Sequence, residues 1–219
     1  MRKDFESSYW TFEESVRRYD PDSLRNYYSE VLADIDETRV VSTRTVMLDI
    51  GCGYGYFMQL CLKKGHDCIG LDISRWALSR ALEKSLKTIL CDASSNLPLQ
   101  SSSIDIVTML DVIEHLDKPQ LALTEIRRVL KPKGVLFIST PNLAAIMRGI
   151  KGKRWYGFLD KTHVSLFTPF HLSRLLKKCD FNVLKCYAPF DVNLPSRLRS
   201  KAFQYSLIGG QLRLLARTK

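Results

Sequence analysis

The stretch that most constrains this chain is residues 46–57, Val-Met-Leu-Asp-Ile-Gly-Cys-Gly-Tyr-Gly-Tyr-Phe. Val46, Met47 and Leu48 read as a buried strand, which breaks into Gly51, Gly53 and Gly55 before a helical stretch that ends near Gly65. Strand, tight loop and helix follow without a spacer. Glycines at alternate positions remove Cβ atoms, so the backbone turns sharply and a ligand can approach its amides. The helix that starts there adds free N–H groups and a positive dipole end, which suit a carboxylate or phosphate.

A second apolar run, Cys68, Ile69, Gly70 and Leu71, ends in Asp72, about twenty residues on, where a doubly wound sheet places an acid for ribose hydroxyls. A third segment, residues 88–91, ends in Asp92. Three successive strands thus finish at an acid or a glycine loop. The spacing Asp49-Ile-Gly-Cys-Gly-Tyr-Gly55 departs from the dinucleotide pattern and disfavours a nicotinamide oxidoreductase, which remains the rival enzyme class.

This segment resembles the first motif of class I S-adenosylmethionine-dependent methyltransferases. Leu110-Asp-Val-Ile-Glu-His-Leu116, Leu130-Lys-Pro-Lys-Gly-Val135 and Ser139-Thr-Pro-Asn142 are similar to later motifs of that superfamily, in the same order. The likeness runs from about residue 44 to about residue 185. It implies a Rossmann-like fold, an α/β doubly wound sheet of seven mostly parallel strands with the last antiparallel. S-adenosyl-L-methionine would be the cofactor and S-adenosyl-L-homocysteine the product. By resemblance Asp49 lies near the methionyl amino group, Gly51 and Gly53 contact the cofactor through backbone, Asp72 binds the ribose hydroxyls, Asp92 and Ala93 face the adenine, Asp111 lies near the methionyl part, and Cys52, Ile73 and Leu110 are further cofactor-binding residues. A module that keeps this pocket without catalysis is the non-enzyme alternative.

Residues 7–36 read as one or two helices outside the sheet, split at Pro21, and with the remainder of residues 1–43 they are expected to form a helical lid over a domain spanning 44–219. The expected strands are 45–50, 67–71, 88–91, 104–110, 135–139, 181–187 and 211–217. Helices are expected over 54–64, from a Ser74 cap to 84, over 118–130, and from Pro169 to 179. Residues 142–168, which hold Trp155, Tyr156, Phe158 and His163 among basic residues, and the connection 188–210 are the expected substrate-side segments.

Charge separates these regions. Residues 1–141 hold 18 Lys and Arg against 20 Asp and Glu, while residues 142–219 hold 15 against three acids, Asp160, Asp180 and Asp191. A basic later segment favours anionic partners: a phosphorylated small molecule, nucleic acid or an acidic membrane surface, with a merely solvated face as the plain alternative. No apolar stretch approaches membrane-spanning length and the first residues lack a signal peptide's apolar core, so a cytoplasmic chain with no transmembrane segment is expected. Six cysteines sit singly in apolar segments, without metal or disulfide spacing.

Chemistry concentrates after strand four, where Asp111, Glu114 and His115 stand at i, i+3 and i+4 and share one face if that turn is helical. Three readings stand. His115 acts as a general base on an acceptor hydroxyl, with Asp111 and His163 as further catalytic candidates. Alternatively His115 only positions groups by hydrogen bonds. In the third, Asp111, Glu114, His115 and His163 bind a divalent metal, as a resemblance to small-RNA 2′-O-methyltransferases implies.

Overall fold

The computed structural model describes residues 7, 9–10, 21–38, 45–189 and 207–219. Seven strands form one sheet in the order β3-β2-β1-β4-β5-β7-β6. They are β1 (Val46–Ile50), β2 (Asp67–Asp72), β3 (Lys87–Leu90), β4 (Ile104–Leu110), β5 (Leu130–Pro141), β6 (Phe181–Tyr187) and β7 (Gln211–Thr218). The first five are mutually parallel, and β7 runs antiparallel to both β5 and β6. Expected and observed strands coincide closely except at β5. There Pro132, read as a helix stop, lies inside a strand that begins at Leu130, because Lys133 takes a left-handed φ of 66° and the register with β4 shifts, so the missing proline N–H costs no ladder bond.

Central strands are largely apolar because both faces are covered. On one face α1 (Pro21–Asp36), α2 (Tyr56–Lys63) and α3 (Arg75–Leu82) press Val31, Ile35, Phe57, Met58 and Leu78 against Met47, Ile106 and Phe137. On the other, α4 (Pro119–Val129) and α7 (Pro169–Lys178) bury Leu123, Ile126, Leu172 and Leu176 against Val107, Leu136 and Leu214. Helix α1, from the expected lid region, thus packs on the sheet, and Lys185 of β6 ties it there by donating to Asp34 at 2.7 Å. Residues 1–6, 8, 11–20 and 39–43 of the lid region, residue 44, and residues 190–206 of the basic connection lie outside the described residues.

Between β5 and α7 the chain makes two short helices, α5 (Ile146–Lys151) and α6 (Tyr156–Leu159), joined by a single 3-10 turn, Gly152–Arg154. All six cysteines are free thiols. The loop after β3 is clamped by Arg128 of α4, which donates to the Leu99 carbonyl at 2.8 Å and the Leu97 carbonyl at 2.9 Å while Glu125 holds its guanidinium. Replacing Arg128 with Ala leaves both carbonyls without that donor. The expected loss is about 1–3 kcal/mol, measured as a lower denaturant midpoint with an unchanged slope.

Candidate active site

The site begins where β1 and β2 end together. Gly51 and Cys52 donate their N–H groups to the Leu71 carbonyl at 2.6 and 3.1 Å, which folds the glycine loop over the neighbouring strand. Gly51 adopts φ +73°, and a Cβ there would run into the Val112 side chain. Only glycine fits. Gly53 then donates to Asp72 Oδ2 at 2.9 Å, and Ser74 donates its N–H to Asp72 Oδ1 at 2.8 Å. Both carboxylate oxygens are anchored by backbone N–H groups.

These elements surround a cavity of about 240 Å3. Gly51, Asp72, Ile73, Asp92, Ala93, Leu110 and Asp111, all expected cofactor residues, line it together with the catalytic candidate His115. Its ionisable walls are mostly acidic, Asp72, Asp92, Asp111 and Asp117 against Lys118, which favours a cationic occupant. Tyr9 and Trp10 close one side. Trp10 Nε1 donates to Ser74 Oγ at 3.0 Å, and the same oxygen accepts the Ala77 N–H to cap α3.

Three expected cofactor residues stand behind this wall. Cys52 is buried against the core, and Gly53 reaches the cavity through its bond to Asp72. Asp49 is 3% exposed and accepts from Thr108 Oγ1 at 2.7 Å. Burial pushes its carboxyl up to about 7, against the Thr108 hydrogen bond and with help from the Asp72 charge.

The opposite rim comes from β4 and the insertion. Asp111 takes a left-handed φ of 54° at the end of β4, and a 3-10 turn, Ile113–His115, follows. Its carboxylate turns to the β7 side and accepts from Gln211 Nε2 at 3.0–3.1 Å. Glu114 goes inward instead, fully buried, where Thr140 Oγ1 donates to its Oε2 at 2.9 Å. Burial, aided by the Asp111 charge, pushes its carboxyl well above the usual range.

His115 is oriented from the insertion. Thr162 Oγ1 donates its one hydrogen to Asp160 Oδ1 at 2.5 Å, so its 2.9 Å contact with His115 Nδ1 places the ring proton on nitrogen. The Thr162 carbonyl, 3.3 Å from Nδ1, requires the same tautomer. Neutral His115 therefore presents Nε2 as an acceptor. His163 Nδ1 donates to the Gly157 carbonyl at 2.8 Å, and its Nε2 lies 3.7 Å from Asp160 Oδ2. Burial would raise the Asp160 carboxyl, but the Thr162 hydrogen bonds and the two histidines hold it below its ordinary range.

Of the four side chains grouped for a metal, Glu114, His115 and His163 have ligand atoms within 4.8 Å of one another, and Asp111 falls outside that group. The sequence reading missed Asp160 and Thr162. The signal available was that Asp160 is the lone acid in the basic stretch 142–168.

A family model described as a methyltransferase domain matches residues 16–185. The chain belongs to that methyltransferase family. Malonyl-[acyl-carrier protein] O-methyltransferase of Hamiltonella defensa is 30% identical over 125 residues, 57% of this chain and 48% of that protein. Ubiquinone biosynthesis O-methyltransferase of Photobacterium profundum is 31% identical over 102 residues, 44% of this chain and 43% of that one. The chain therefore spans about half the length of these relatives. A solved methyltransferase from Archaeoglobus fulgidus has the same fold, with TM-score 0.70 at 23% identity over 96% of this chain and 99% of that one. The family implies S-adenosylmethionine as the cofactor of this class I methyltransferase, and the residues present fit it: a glycine turn at Gly51 that leaves its backbone bare on the cavity, a buried acid anchored by backbone N–H groups, and acidic walls.

Asp49 gives this methyltransferase a pH signature. Between pH 3.8 and about 7 the folded state keeps a proton that the unfolded chain has lost, so this group's contribution is full below that window and fades as pH rises through it. Asp49→Asn, which can still accept from Thr108, is expected to unfold like the parent near pH 4 and to become the more stable protein above pH 7. The gap should approach at most about 4 kcal/mol, and urea melts at the two pH values measure it.

Proposed function

We propose that this chain transfers the methyl group of S-adenosylmethionine to an oxygen atom of a polar, anionic acceptor, with His115 receiving the acceptor's proton. The observation that supports it most is the convergence, on one cavity at the carboxyl ends of β1, β2 and β4, of Gly51, the anchored Asp72 carboxylate and a tautomer-fixed His115. When bound, the cofactor supplies a methyl group on a cationic sulfur. Asp72 would accept from ribose hydroxyls, Ile73, Asp92 and Ala93 would face the adenine, and Asp111, with Asp49 behind the wall, would lie near the methionyl amino group. His115 Nε2 takes up a proton as the acceptor oxygen is methylated. Asp160 and Thr162 hold that ring in place, so much of the rate comes from orientation. Tyr9 and Trp10, from the lid region, shield the site from water.

Oxygen is favoured because two of the similar proteins are named O-methyltransferases. An anionic acceptor is favoured by the excess of 15 Lys and Arg over three acids in residues 142–219. The test uses labelled S-adenosylmethionine with a cell extract, beside calorimetric binding of S-adenosylhomocysteine. Asp72→Ala is expected to weaken binding about 10- to 100-fold. His115→Ala is expected to keep that affinity and to lose about 100- to 10,000-fold in labelling rate. Equal labelling by His115→Ala would remove the base, and unchanged binding by Asp72→Ala would remove the pocket.

A second reading has Glu114, His115 and His163 holding a divalent cation for a nucleic-acid acceptor, and it is supported by Glu114 Oε1, buried without a hydrogen-bond partner among the described residues. Under the first reading neither Mn2+ nor a chelator shifts the melting temperature or the labelling rate. A Mn2+-dependent rise that Glu114→Gln abolishes would favour the second.

A further inference from the structure

The insertion between β5 and α7 presents apolar side chains that the fold does not use. Helix α5 buries none of its residues, and Ile150 is 71% exposed, Ile146 46% and Met147 37%. Ile146 and Ile150 are four apart and Met147 and Ile150 three apart, so they form one stripe. Nearby, Phe158 and Leu159 of α6 are 45% and 55% exposed. Single exposed apolar residues are ordinary on a surface, whereas a cluster of them marks a contact.

The base beneath this cluster is fixed. Trp155 is 1% exposed and packs so closely on Gly157 that a Cβ there would strike its ring. Asn142 Nδ2 donates to the Leu207 and Gly209 carbonyls at 2.9 and 2.8 Å, and Ile146 donates its N–H to the Ile208 carbonyl at 3.1 Å. The apolar side chains therefore stand outward on an anchored platform.

Charge decides what fits against them. Arg148, Lys151, Lys153, Arg154 and Lys161 are all exposed, while the one acid of residues 142–168, Asp160, is buried and held by Thr162 and His163. An apolar stripe flanked by cations matches an element that lies in the interface of an anionic bilayer, with side chains in the headgroup boundary and Lys and Arg on the lipid charges. Two copies meeting through this face would bring like charges together. Among the described residues no helix is long and apolar enough to cross a membrane, so contact here is with a surface.

We propose that residues 146–161 dock this protein onto an anionic lipid surface. His163 belongs to the same insertion and its ring lies 4.8 Å from that of cavity-lining His115, so the docking segment is joined to the cavity rim.

The test is cosedimentation of the full chain with vesicles of phosphatidylcholine alone, or of two parts phosphatidylcholine to one part phosphatidylglycerol. Binding is expected to the second only, and to weaken as salt rises from about 0.1 M to about 1 M and the screening length falls from about 10 to about 3 Å. The combined variant Lys151→Glu, Lys153→Glu, Arg154→Glu is expected to lose at least about 100-fold in vesicle affinity, at roughly fivefold per charge. Ile150→Asp is expected to lose about tenfold or more. Both variants should bind S-adenosylhomocysteine as the parent does, which shows that they fold. Equal binding to neutral vesicles, no binding by the parent chain, or variants that bind like the parent would each overturn the proposal. So would a dimer in sedimentation equilibrium that Ile150→Asp dissociates while vesicle binding is absent.

Discussion

The Asp72 carboxylate is the junction on which the site depends. One oxygen takes an N–H from the glycine loop and the other takes an N–H from the start of α3. Burial alone pushes this carboxyl up, and the backbone hydrogen bonds from Ser74 and Gly53 oppose that shift. The carboxylate is thus kept near a ligand at the expense of desolvation that these fixed backbone donors, with Ile73, partly offset. Ser74 extends the junction, since its hydroxyl caps α3 and accepts from Trp10. Loop, strand, helix and N-terminal wall are held through two adjacent side chains.

The two halves of the cavity are built differently. Strands β1 to β3 make the cofactor half from short local turns, where glycine and acid positions follow directly from chain direction. The acceptor half needs partners far apart in sequence: His115 is set by Thr162, and Asp111 is met by Gln211. A carboxylate, a hydroxyl and an imidazole in series fix one tautomer without any of them leaving the insertion or the β4 turn.

That difference explains what was legible in the sequence. The α1-to-β7 order, the Ser74 cap and the acids at the ends of β2 and β3 follow from periodicity and local capping rules, and the structure has them. The shared face expected for Asp111, Glu114 and His115 assumed an α-helical turn. A left-handed residue followed by a 3-10 turn sends Asp111 to the β7 side of the cavity rim and Glu114 into the core, and no spacing rule anticipates a positive φ at a non-glycine residue. Thr162 was illegible for another reason: its partner His115 lies 47 residues earlier, and only the tertiary fold brings the two together.

The account stands on a single pocket organised by Asp72, and a crystal structure of the chain with S-adenosylhomocysteine tests it most directly. The account predicts both ribose hydroxyls within hydrogen-bond distance of the Asp72 carboxylate, the adenine between Ile73 and Ala93, and the sulfur facing the rim that carries His115. A ligand bound away from the glycine loop, or bound there with Asp72 turned from the ribose, would contradict it.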